Sequence, residues 1–82
     1  MDLVEITKEI VLSLVKDKDT VNVKEFETDE ENTILIEIMV SKDDIGKVIG
    51  KNGNNAKALR TLVQASSFLK DNKRVKINID SF

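Results

Sequence analysis

The stretch DIGKVIGKNGNNAKALR, Asp44 to Arg60, contains all three glycines of this 82-residue chain: Gly46, Gly50 and Gly53. There is no proline. Ser41 and Asp44 match the S-x-x-D/E capping box, a pattern that opens a short helix here. Gly50 is a natural helix stop, so that helix reaches only to about Ile49. A second helix starts near Asn54 and runs to about Phe68. Between the two lies the tight loop Gly50-Lys51-Asn52-Gly53.

Outward from this corner, the patterns are plain. Towards the amino end, Ile34, Ile36, Ile38 and Val40 alternate through a strand rich in β-branched residues. DEEN precedes it as a turn and favours a hairpin. Val21 and Val23 alternate in an earlier strand, read from about Thr20 to Thr28, and Phe26 breaks the alternation as a bulge would. DKDT is a turn. The chain begins with a helix capped by Asp2 and running to about Lys16, with Leu3, Ile6, Ile10 and Leu14 recurring at helical spacing beside Val11. Towards the carboxyl end, KDNK turns the chain into a last strand carrying Val75, Ile77 and Ile79. The order is αββααβ. A single α+β domain over residues 1–82, with three helices packed on one face of a three-stranded sheet, is the economical solution.

Composition limits the chemistry. At 40% hydrophobic and 34% charged, the chain reads as globular. It has neither cysteine nor histidine, which removes disulfides, thiolate metal sites and the usual general base. No metal, cofactor or small-molecule substrate is expected. Glu5, Lys8 and Glu9 interrupt the apolar start, so neither a signal peptide nor a membrane span is expected, and a cytoplasmic setting is. The net charge is −2, but it is divided. Met1 to Val40 carries four lysines against eleven acids, whereas Ser41 to Phe82 carries nine basic residues against four acids. The glycine loop lies in the positive half, whose local field suits a polyanion.

Each loop glycine tolerates positive φ and close backbone approach. The loop brings Lys51 and the first-turn N–H groups of the second helix to one point. Lys47 lies about one turn before it and Lys57 about one turn after it. Together these groups suit a phosphate. A P-loop is excluded, because Gly46 and Gly50 are too close and Lys51 is followed by Asn52; the Rossmann G-x-G never occurs. A plain helix–turn–helix corner remains the alternative, although it does not account for a lysine at the loop tip.

VIGKNGNNA, Val48 to Ala56, resembles the V-I-G-x-x-G signature of KH domains, which clamp single-stranded nucleic acid by its backbone. The wider DIGKVIGKNGNNAKALRTLV and the αββααβ order resemble the type II, bacterial form. The length resembles the small single-KH bacterial RNA-binding proteins of the KhpA type, and that resemblance implies an RNA-chaperone role. The resemblance implies RNA contact by Gly46, Lys47, Val48, Ile49, Gly50, Lys51, Asn52, Gly53, Asn54 and Lys57. It places Val48 and Ile49 in an apolar groove, with Ile36 or Ile38 on the far side. Many relatives have a basic residue where this chain has Asn54, and KH domains commonly have isoleucine where it has Ala56. The three aromatics are all Phe and none falls near the loop in sequence, so base stacking of the RRM kind is not expected.

The second helix has a further apolar stripe, Ala58, Leu62 and Ala65, one large residue between two small ones. It either broadens the core stripe of Ala56, Leu59 and Val63 or receives a partner helix. The resemblance implies a homodimer, or pairing with a larger KH-containing protein of the Jag/KhpB type. Two function classes follow: a non-enzymatic RNA-binding module, or an interaction adaptor in which pairing is the main role and RNA contact is incidental.

Overall fold

The computed structural model of the chain describes residues 2–82. The elements are α1 (Leu3–Leu12), β1 (Asn22–Glu27), β2 (Thr33–Val40), α2 (Ile45–Ile49), α3 (Asn54–Lys70) and β3 (Arg74–Ser81), with 3-10 turns at Lys18–Thr20 and Lys51–Gly53. The sheet order is β1-β2-β3, with β2 antiparallel to β1 and parallel to β3. The expected α+β class holds. The helical layer, however, consists of two helices of ten residues or more, α1 and α3, and the expected third is the five-residue α2. At 3.6 residues per turn, α2 is little more than one turn.

Ile34, Ile36, Ile38 and Val40 face one way on β2 and are buried against Leu3, Val11, Leu59 and Val63 of the helices. Val75, Ile77 and Ile79 extend that face on β3, in register with Ile34, Ile36 and Ile38. The expected bulge at Phe26 is absent. β1 pairs without interruption from Asn22↔Met39 to Glu27↔Ile34, which puts Phe26 opposite Leu35 on the other sheet face, where it is exposed.

Asp2 caps α1 as expected, its carboxylate accepting from Glu5 N at 2.8 Å. The helix ends at Leu12 rather than near Lys16. There Lys18 Nζ donates to the carbonyls of Leu12 and Val15, which terminates the helix from outside. Its buried stripe is Leu3, Thr7 and Val11, with Ile6 and Ile10 half-buried beside it. Thr7 is tolerated in the core because its hydroxyl donates to Leu3 O at 2.7 Å.

On α3 the buried stripe is Ala56, Leu59, Val63 and Ser67. Ser67 Oγ and Gln64 Nε2 both donate to Lys73 O, at 2.8 and 3.0 Å, while Val75 N donates to Gln64 Oε1 at 2.9 Å. These bonds fix the start of β3 to α3. A surface ion pair between Lys76 and Glu30 links β3 to the hairpin turn.

Candidate nucleic-acid interface

The corner that carries the loop is anchored at its start. Asp44 is only 2% exposed, although it belongs to a polar turn. Its carboxylate accepts from Lys16 N at 3.0 Å, Asp17 N at 2.9 Å and Ser41 Oγ at 2.9 Å. The expected capping box is therefore not formed in its usual sense, and no side chain caps α2. Asp44 instead ties the start of α2 to the segment joining α1 and β1. The two backbone N–H bonds hold its carboxyl below the ordinary value of 3.8, with Ser41 and Lys47 adding to the effect and burial opposing it.

The loop follows one helical turn later. Gly50 has φ 75° and ψ 173°, a backbone region essentially restricted to glycine. A Cβ there would stand 2.7 Å from Asn55 Cγ and 2.9 Å from Asn55 N. Asn52 and Gly53 are both left-handed, with φ 57° and 74°. The turn is closed by Gly53 N donating to Gly50 O at 3.1 Å and by the Asn54 N–H donating to Lys51 O. Asn55 Nδ2 donates to Lys47 O at 2.8 Å, crossing from α3 back to α2. Asn55 was not among the expected site residues. Its signal was an amide side chain in the first turn of a helix, two residues beyond a glycine.

Lys51 and Asn52 are exposed at the tip, and Lys47 and Lys57 are exposed on the flanking helices. Among the described residues none of these lysines belongs to an ion pair. Gly53 occupies the cap position of α3 and supplies no side-chain acceptor. The loop therefore presents cationic side chains and a helix start without a side-chain cap on one surface. Gly46 and Asn54 are exposed beside it.

Two expectations about the groove need correction. Val48 is fully buried, so it belongs to the core, and Ile49, 39% exposed, is the accessible member of the pair. Ile36 and Ile38 are likewise completely buried and cannot form an accessible wall. The apolar residues beyond them are Ile77 and Ile79 of β3, half-buried on the outer strand against which α2 lies. On α3, Ala58, Leu62 and Ala65 are exposed, so this stripe does not broaden the core; Leu62 is 53% exposed. Leu69, at helical spacing from Leu62 and Ala65, continues it. Among the described residues, no helix is long and apolar enough to cross a membrane, and no group of acidic side chains is placed to hold a metal ion.

A mixed three-stranded sheet backed by helices, with a GxxG loop between two of them, fits a KH domain, a nucleic-acid-binding unit rather than an enzyme. The family described as KhpA/KhpB, KH domain, matches residues 4–79, and the chain belongs to it. It is 45% identical over 75 residues to the RNA-binding protein KhpA of Caldanaerobacter subterraneus subsp. tengcongensis, covering 92% of this chain and 96% of that protein. It is 46% identical over 78 residues to the RNA-binding protein KhpA of Clostridium perfringens, covering 95% and 96%. Among solved structures, Era of Aquifex aeolicus bound to GDP and AlF4− superposes with a TM-score of 0.68 at 22% identity. Era in complex with MgGDPNP and nucleotides 1506–1542 of 16S ribosomal RNA gives 0.66 at 23%. These matches cover 98% and 96% of this chain but only 30% and 29% of the Era chains, and they speak to the fold alone.

Proposed function

We propose that the chain is a single type II KH domain that binds single-stranded RNA through Gly50-Lys51-Asn52-Gly53, in the cytoplasm of a bacterium. The backbone of one strand lies against Lys51, Asn52 and the start of α3, with Lys47 and Lys57 neutralising neighbouring phosphates. Bases rest on Ile49 and the β3 edge. The observation that carries this reading is the glycine-restricted backbone at Gly50, which holds Lys51 and Asn52 out in solvent between two helices. The names of the KhpA relatives support it.

The test is a double variant, Lys51→Asp with Asn52→Asp. Both side chains are exposed, so circular dichroism should be unchanged. RNA affinity should fall at least about tenfold, or about 1.4 kcal/mol. Unchanged binding by the folded variant overturns the reading. With two or three phosphates neutralised, the slope of log K against log salt should lie at roughly −1.4 to −2.1.

The exposed stripe of Ala58, Leu62 and Ala65 supports a second reading, in which the domain works as a two-fold homodimer or pairs with a larger KH-containing protein. In its strongest form, pairing is the main role and RNA contact is incidental. Leu62→Lys should then give a folded monomer by sedimentation, with weaker RNA binding because two loops no longer act on one strand. A dimer that survives the change places the contact elsewhere.

A further inference from the structure

The chain has seven asparagines, at positions 22, 32, 52, 54, 55, 72 and 78, and only Asn52 is followed by glycine. We propose that Asn52–Gly53 is a self-modification site, at which the loop converts its own asparagine to aspartate or isoaspartate and thereby switches off anion binding. The second half rests on the RNA-binding reading above.

The chemistry needs only water. The Gly53 backbone nitrogen loses its proton and attacks Asn52 Cγ, forming the N–Cγ bond of a five-membered succinimide. The side-chain nitrogen leaves with that proton as ammonia. Water then opens the ring at either carbonyl. One opening yields aspartate; the other yields isoaspartate, in which the main chain runs through the side-chain carbon. Either product places a carboxylate at the loop tip beside Lys51.

The geometry distinguishes Asn52 from the other asparagines. Attack requires the nitrogen of the next residue to be uncrowded and free to rotate. Gly53 has no Cβ, and the position a Cβ would occupy has no atom within 4 Å. At the ψ of 23° that Asn52 has, the Gly53 nitrogen is turned away from Asn52 Cγ. Ring closure therefore needs the half-exposed turn to open by releasing the bond from Gly53 N to Gly50 O at 3.1 Å. Asn22 and Asn78 lie inside strands before Val23 and Ile79, and Asn32 precedes the buried, β-branched Thr33. Asn54 and Asn55 sit in the first turn of α3, where the Asn55 amide is engaged with Lys47 O. Asn72 precedes Lys73, whose side chain crowds the nitrogen that would attack.

The experiment is timed incubation of the purified protein at mildly alkaline pH, followed by peptide mapping with mass spectrometry. Isoaspartate is scored by an isoaspartyl methyltransferase. Asn52 should be converted before any other asparagine, and Asn52→Gln should remove the early product because glutamine closes its ring far more slowly. Retention of the Asn52 amide while other asparagines convert overturns the proposal. The converted protein, separated by charge, should lose RNA affinity by about tenfold or more. Full affinity after conversion overturns the switch. Measuring the Lys51→Asp, Asn52→Asp variant alongside shows whether the clamp reading has failed with it. Bound single-stranded RNA should slow the conversion by holding the loop.

Discussion

At the start of α2, Asp44 is buried and its carboxylate takes three donors from two other parts of the chain, whereas at the far end Gly50 leads into a tip whose side chains stand in solvent. The first end is held by a side chain that reaches out. The second is shaped by the absence of side chains at Gly50 and Gly53. The difference teaches how a five-residue helix, too short to be stable alone, can aim a loop. Its base is tied to the α1–β1 connection, and its end is fixed by backbone angles that few residues can adopt.

Four substitutions probe that contrast, in descending order of expected effect. Gly50→Ala combines a glycine-restricted backbone with a Cβ pressed onto Asn55, and should cost about 3 kcal/mol or more in urea unfolding. A cost well under that would mean that the loop end relaxes and is not held by its backbone. Asp44→Asn should lower the thermal midpoint at pH 7 by a smaller amount. Because the folded carboxyl titrates below its ordinary 3.8, its contribution is complete above that pH and is lost as pH falls through the folded value. Wild type and Asp44→Asn should therefore differ at neutral pH and converge in acid. A gap that stays constant with pH would show that the carboxylate charge is not what anchors the base.

Gly53→Ala meets open space but keeps a left-handed φ of 74°, and should cost about 1 kcal/mol. Near-equality with Gly50→Ala would remove the distinction between the two loop glycines. Gly46→Ala lies within α2 with nothing nearby, and should stabilise the domain by about 0.5 kcal/mol. A loss there instead would indicate a constraint on α2 that its surroundings do not reveal.

The order of elements, the inward face of β2, the Ala56–Leu59–Val63 stripe and the loop could be read from the sequence because each follows a local period or a backbone requirement. Among the described residues, the three non-glycine residues with positive φ, Asn32, Asn52 and Asn72, all fall in or beside the expected turns, and asparagine is the non-glycine residue that most readily adopts that conformation. What escaped depends on contacts between distant segments. Asp44 looked like a local cap because its partners, Lys16 and Asp17, lie far away in the chain. Thr7 and Ser67 are polar, so a pattern of apolar residues passes over them, yet each satisfies its hydroxyl within reach and joins the core. Ile36 and Ile38 looked available to a groove because alternation does not reveal strand order. Only the pairing of β2 with both neighbours makes it the covered central strand and leaves β3 on the outside.

The parallel pairing of β2 with β3 also has a bearing on how the domain assembles. An antiparallel pair such as β1 and β2 can zip from its turn, and its partners are near in sequence. The ladder from Thr33↔Arg74 to Val40↔Ser81 has no such starting point, because α2, the glycine loop and α3 all lie between its two strands. The entropy of closing that connection must be met before the ladder returns any contact. The hairpin is therefore expected to form early and β3 to dock late. Since the glycine loop is part of the crossover itself, it takes its final geometry only with that last closure, and a chain caught halfway has strands but no clamp.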